Sequence, residues 1–95
     1  GYPDCTDSFI DKMQSAMNQG TKEDTNLEIK TPLVHMTKEQ IVRKSLELNV
    51  PLEYTWSCYA NEKKACGVCD SCSLRLKGFN LANETDKIEY EEYIK

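Results

Sequence analysis

Four of the five cysteines in this 95-residue chain fall between positions 58 and 72, at Cys58, Cys66, Cys69 and Cys72. Thiolates are soft ligands, and two residues between cysteines is the spacing that lets one tight turn aim both sulfurs at a single ion. That spacing occurs twice in succession with Cys69 shared, and the polar loop 59–65 is long enough to carry Cys58 round to a fourth corner. Four thiolates complete a tetrahedron and leave no position open for water or substrate. The pattern therefore reads as a structural zinc site.

Other thiol chemistry fits this spacing less well. Cysteines two residues apart rarely reach the Cα separation and dihedral of a disulfide outside special redox turns, and a thioredoxin-like redox pair would need only two of the four. An iron–sulfur cluster also takes four thiolates, but ferredoxin runs are spaced differently and commonly place proline after the last cysteine, where this chain has Ser73. His35 is a ligand type that zinc accepts, yet with four thiolates at hand it reads as a packed or hydrogen-bonded residue. Cys5 stands apart. With Asp4 in the segment Gly-Tyr-Pro-Asp-Cys it is a candidate for a chemical role, as nucleophile or substrate contact, against the plainer reading of a packing residue.

The elements that must position these residues are short. Pro3 and the cap residues Asp4, Thr6 and Asp7 predict a turn entering a helix, which Phe9, Ile10, Met13, Ala16 and Met17 continue at helical spacing until Gly20. Thr21 to Asn26 is a polar loop. Leu27 to Thr31 alternates apolar and polar side chains and predicts one short strand ended by Pro32, with no second strand to pair with. Thr37 and Gln40 have the spacing of a capping box, with Met36 placed to staple onto Ile41. They open a helix over roughly 38–48 whose inward stripe is Ile41, Val42, Ser45 and Leu46 and whose stop signals are Asn49 and Pro51. An extended segment from Val50 to Trp56 then delivers Cys58. Tyr54 and Trp56 are able to stack on a ligand, but packing beside a small metal knuckle is the commoner use of such rings. A helix starting near Asp70 or Ser71 and stopped by Gly78 seats the last cysteine, and 80–95 reads as a short helix or an unattached acidic tail.

Composition narrows the function classes. An apolar fraction of 39% is lean for an independent core at this length, so metal binding would have to supply part of the folding free energy. A net charge of -4 and no clustered basic patch argue against a nucleic-acid surface. No apolar run approaches a membrane span, and Gly-Tyr-Pro-Asp-Cys has neither the charged nor the apolar region of a signal peptide. Closely spaced free thiols suit a reducing compartment, the cytoplasm. A start without methionine suggests a chain that begins within a longer protein.

Four stretches, Gly-Tyr-Pro-Asp-Cys at 1–5, Thr-Pro-Leu-Val-His-Met-Thr-Lys at 31–38, Thr-Trp-Ser-Cys-Tyr at 55–59 and Cys-Gly-Val-Cys-Asp-Ser-Cys-Ser-Leu-Arg-Leu-Lys-Gly-Phe at 66–79, have a common likeness. In this order and spacing they closely resemble the C-terminal part of the 7-cyano-7-deazaguanine synthase family, the preQ0 synthases of queuosine biosynthesis. The resemblance implies a parent of the α/β class, with a Rossmann-like adenine nucleotide alpha hydrolase fold, of which this chain holds mostly short helices, one strand and the zinc knuckle. It implies an ATP-dependent ligase that activates the carboxylate of 7-carboxy-7-deazaguanine, aminates it with ammonia, then activates and dehydrates the amide to the nitrile. It also implies that Cys58, Cys66, Cys69 and Cys72 are zinc ligands, the same four that spacing selects. At Thr6 and Ser73 the chain departs from the arginines the family often carries, which removes a charge that would hold an anion.

On this reading 1–57 is the C-terminal portion of the α/β synthase domain, 58–79 the zinc knuckle with its helix and 80–95 the tail. The family's Ser-Gly-Gly-x-Asp-Ser phosphate loop is not among these residues, so the chain alone is expected to be inactive and to bind no ATP. The expected partners are the small-molecule reactants, with neither nucleic acid nor membrane, and the lone strand and sparse core leave room for a homodimer of the parent. The alternative is a free-standing zinc-stabilised interaction module without catalysis.

Overall fold

Three α-helices carry the chain in the computed structural model, which describes residues 1–93: α1 (Asp7–Gln19), α2 (Lys38–Glu47) and α3 (Asp70–Leu81). Single 3₁₀ turns stand at Pro3–Cys5 and Leu52–Tyr54. The chain divides into two compact units, Gly1–His35 and Met36–Lys95. Ile94, expected among the apolar residues of the tail, and Lys95 lie outside the described residues.

In the first unit the capping logic holds. Thr6 Oγ1 accepts from the Phe9 N–H at 3.2 Å and donates to the Pro3 carbonyl at 2.9 Å, so one hydroxyl closes the 3₁₀ turn and opens α1. Gly20 ends the helix, its N–H on the Ala16 carbonyl at 3.0 Å. The expected apolar stripe is present on α1, but none of the helix's residues is buried. The strand predicted over Leu27–Thr31 does not form. Its polar groups find partners on α1 instead: Leu27 N–H donates to Asn18 Oδ1 at 2.6 Å, Asn18 Nδ2 donates to the Leu27 carbonyl at 2.9 Å, and Ile29 N–H donates to Gln14 Oε1 at 2.8 Å. With no neighbouring strand, side-chain amides satisfy the extended backbone that a ladder would otherwise pair.

The second unit is built on α2 packed against α3. Both halves of the capping box are made, Thr37 Oγ1 accepting from Gln40 N–H at 3.2 Å and Gln40 Oε1 from Thr37 N–H at 2.8 Å. Past the end of α2, Asn49 takes a left-handed φ of 57°, the conformation asparagine tolerates better than most residues. Val42 is buried against Phe79 and Ala82 with Leu52 alongside, whereas Leu46, assigned to the inward stripe, is exposed. Gly78 does not stop α3, which runs to Leu81. It is a packing position: a Cβ there would sit 2.8 Å from Lys38 Cβ and 3.0 Å from the Lys38 backbone carbon, so its lack of a side chain admits the start of α2.

The chain is thus mostly helical, and among the described residues the isolated β-bridge is a parallel one between Ala65 and Tyr90. That bridge overturns the reading of 80–95 as a short helix or an unattached tail. Asp86 is buried and Tyr90 is paired beside the cysteine loop, because an interior carboxylate needs cationic and hydrogen-bonding partners and finds them on α3 and on the tail itself.

Candidate metal centre

The cysteine loop has no regular structure of its own, and its geometry is set by N–H groups that point at sulfur. Cys58 Sγ accepts from the N–H groups of Ala60, Asn61 and Cys66, each at 3.4 Å. Cys66 Sγ accepts from Val68 at 3.4 Å and Cys69 at 3.2 Å, the repeating turn that spacing by two residues produces. Cys69 is the N-cap of α3 and its sulfur accepts from Cys72 N–H at 3.4 Å, so the third and fourth cysteines sit on the rim and first turn of a rigid helix. Gly67, at φ 79°, gives the loop the bend that a side chain would resist.

The four Sγ atoms lie within 4.8 Å of one another, with Cys66 and Cys72 separated by 4.0 Å. A tetrahedron with metal–sulfur bonds of about 2.3 Å has edges of about 3.8 Å, so the cluster has the size that one ion requires. The sulfurs are too far apart for a disulfide, whose bond is about 2.05 Å, and all five cysteines are free. The donor set is also electrostatically suited to a cation. The Cys66 N–H foremost, with those of Asn61 and Ala60, holds the Cys58 thiol down to about 6 from an ordinary 9.0. Cys69 is lowered as well, by the backbone of Tyr59 and then of Cys72. Cys72, almost wholly shielded, is pushed up to about 12 by burial, so its thiolate calls for a positive charge beside it.

The structure brings all four spacing-selected cysteines together. Asp4 and Cys5 lie in the first unit, both exposed, with Cys5 Sγ 3.8 Å from Asp4 Oδ1. His35 is exposed too, its Nε2 3.2 Å from Asp7 Oδ2. Tyr54 is 85% exposed and Trp56 43%. Trp56 lines a groove of about 260 Å³ together with Lys38, Arg75, Phe79 and Ser57, whose Oγ is buried without a hydrogen-bond partner.

Sequence reasoning missed a second cluster behind the cysteines. Asp86 accepts from Arg75 Nε at 2.6 Å, Arg75 Nη2 at 3.1 Å, Tyr90 OH at 2.6 Å and Ile88 N–H at 3.3 Å, with the carboxylate fully shielded. Burial and then Asp86 hold the Tyr90 phenol well above its usual range. The guanidinium also reaches the Leu52 carbonyl at 3.3 Å and lies over the Phe79 ring. No local periodicity marks this cluster; the available signal was an aspartate and two tyrosines in a tail too polar to be buried without partners.

The family model described as queuosine biosynthesis protein QueC matches residues 1–83. The chain belongs to this family. Its relatives include the 7-cyano-7-deazaguanine synthase of Aliarcobacter butzleri (strain RM4018), 63% identical over 93 residues, which cover 98% of this chain and 41% of that protein. The protein of the same name from Nautilia profundicola is 63% identical over 92 residues, covering 97% of this chain and 41% of its own length. That from Sulfurimonas denitrificans is 63% identical over 90 residues, covering 95% and 40%. The chain thus spans about two-fifths of the length of these QueC relatives. The whole cysteine cluster and α1 to α3 fall inside the QueC match, and Asp86 and Tyr90 fall beyond it.

Proposed function

We propose that this chain is the metal-bearing C-terminal part of a 7-cyano-7-deazaguanine synthase and that Cys58, Cys66, Cys69 and Cys72 hold one structural zinc ion. The observation that carries this reading is the four-sulfur cluster, within 4.8 Å, in a chain of the QueC family. Zinc is favoured because four thiolates in a tetrahedron suit its coordination and because thiolates attached to the separate irons of a cluster would be spread more widely. When bound, the ion supplies cross-linking and charge neutralisation, not Lewis-acid chemistry, since the thiolates fill its coordination sphere. The chain's own residues then do the rest: N–H groups orient the sulfurs, α3 fixes Cys69 and Cys72, and loop 59–65 returns Cys58 to the helix.

For the whole protein we propose the reaction of the relatives' name. ATP activates the carboxylate of 7-carboxy-7-deazaguanine, ammonia forms the amide, and a second activation removes the amide oxygen to leave the nitrile. The adenine nucleotide alpha hydrolase-like α/β fold, ATP binding, a cytoplasmic location and a homodimer of the parent belong to the same proposal, as does a partner list without nucleic acid or membrane. Among the described residues no helix is long and apolar enough to cross a membrane.

The test has two arms. Elemental analysis of the purified chain should find about one zinc per chain, falling steeply in Cys69→Ser. Full zinc retention in that variant would remove the ligand assignment. A full-length protein containing these residues should consume ATP only when 7-carboxy-7-deazaguanine and ammonia are both supplied; ATP consumption indifferent to either would remove the synthase reading.

A further inference from the structure

The residues after the QueC match are fastened to the metal-binding loop at several points. Asp86 anchors them through Arg75 of α3 and is braced by Tyr90 OH. Ala65 N–H donates to the Glu89 carbonyl at 2.9 Å, and Glu91 N–H donates to the Ala65 carbonyl at 2.8 Å. Ile88 and Tyr90 pack against the buried group of Ala65, Cys66 and Cys72. The Glu92 carbonyl lies so close to Gly67 that a Cβ there would overlap it.

These fastenings converge on one peptide unit. The Ala65 carbonyl that accepts from Glu91 is in the same planar group as the Cys66 N–H, and in a trans peptide the two point in opposite directions. That N–H donates to Cys58 Sγ. The tail therefore grips one side of the peptide while the other side is aimed at a thiolate, and donors of this kind fix the orientation of the ligand behind which they stand. Ala65 is fully buried and Cys66 nearly so, whereas Cys58 and Cys69 are only partly buried, and the tail packs over the loop on its Cys66 side.

We propose that residues 86–92 are a strap that holds the Ala65–Cys66 peptide against the thiolates and sets how firmly the metal is retained, with Asp86 as its anchoring, positioning residue. This rests on the reading of the four cysteines as a metal centre. The strap reaches its hold without supplying a ligand: its Asp86 carboxylate is engaged by Arg75 and Tyr90, and its contacts to the loop are backbone hydrogen bonds and apolar packing.

The experiment loads the full chain with cobalt(II) and follows metal transfer to an excess of chromophoric chelator. Wild type is compared with Asp86→Asn, with Tyr90→Phe, with a chain ending at Glu84, and with Val42→Ala, which weakens the other buried cluster and leaves the strap alone. The strap variants should retain metal about 10- to 100-fold less firmly, the range for groups standing behind metal ligands. Their thiolate-to-cobalt absorption should still report four sulfurs, and Val42→Ala should release metal at the wild-type rate. Should Asp86→Asn fail to fold, Tyr90→Phe carries the test, because it removes one oxygen. Release at the wild-type rate from all strap variants that fold overturns the strap, and so does equal acceleration by Val42→Ala, which would mean that release follows global stability. A wild-type chain that takes up no cobalt overturns both the metal reading and the strap; uptake with strap-independent release overturns the strap alone.

Discussion

Replacing Asp86 by alanine should cost the second unit far more than any surface charge does. The carboxylate is fully shielded and Arg75 is 13% exposed, so the substitution leaves a guanidinium desolvated without its counter-ion and a phenol hydroxyl without its acceptor. Breaking a buried pair from one side costs about 3–5 kcal/mol, most of it the penalty on the stranded charge. Against a total stability of about 5–15 kcal/mol for an ordinary domain, that is a large fraction. Glu39 offers the contrast. It pairs with Arg43 at 2.9 Å across one helical turn in an exposed setting, where removal should cost about 0.3–0.5 kcal/mol. Urea titration of the metal-loaded chain, read by circular dichroism, gives both numbers. The double variant Arg75→Met, Asp86→Leu should recover most of the loss, since it strands neither charge, although it forfeits the guanidinium's place over Phe79 and still leaves the Tyr90 hydroxyl without its acceptor. If Asp86→Ala costs no more than Glu39→Ala, the carboxylate is not the anchor that its hydrogen bonds suggest.

Gly78→Ala should destabilise, because the helix-propensity gain of about 1 kcal/mol is outweighed by overpacking of about 1–3 kcal/mol against Lys38, whose carbonyl group cannot swing away. Gly20→Ala, whose Cβ would meet nothing closer than 3.5 Å, should be neutral or stabilising in the same denaturant titration. Tyr90 holds its proton above the ordinary value of 10.0, so its contribution is fully present below pH 10 and is lost as the pH climbs beyond it, when the unfolded chain ionises first. Denaturation midpoints from about pH 9 to about pH 11 should fall more steeply for wild type than for Tyr90→Phe. Stripping the metal with a strong chelator should lower the thermal midpoint more than Val42→Ala does, as structural zinc contributes on the order of 10 kcal/mol to folding; an unchanged melting curve after complete removal would refute this.

The cysteine quartet and the boundaries of α2 were legible because their information is local. Thr37 and Gln40 are three residues apart, and Cys66, Cys69 and Cys72 are two turns of one loop, so backbone geometry alone ties side-chain type to role. Readings failed where the partner is distant. Leu27 and Ile29 alternate as a strand would, yet alternation records extended backbone and not pairing, and the hydrogen bonds go to Asn18 and Gln14. Gly78 resembles a helix stop, but whether a glycine ends a helix or admits a neighbour depends on what crosses it, here Lys38. Asp86 gave no sign of burial because its stability as an ion comes from Arg75, eleven positions earlier on α3.

The second unit holds together with little apolar material. Its two buried clusters are small: Val42, Phe79 and Ala82 at the α2–α3 contact, and Ala65, Cys66 and Cys72 around the cysteine loop. Burying a side chain of that kind stabilises by at most about 1.5–3 kcal/mol, so neither cluster alone offsets the entropy of ordering its loop. The second cluster is built partly of the proposed metal ligands, which means that its packing and its metal binding are one event. Arg75 joins the two clusters, stacking on Phe79 from one side and gripping Asp86 on the other, while its Nη2 also reaches the Leu52 carbonyl. A perturbation at Arg75 or Asp86 should therefore be felt at the cysteines through the tail. The chain's polar residues near the cysteine loop are in this sense part of its core.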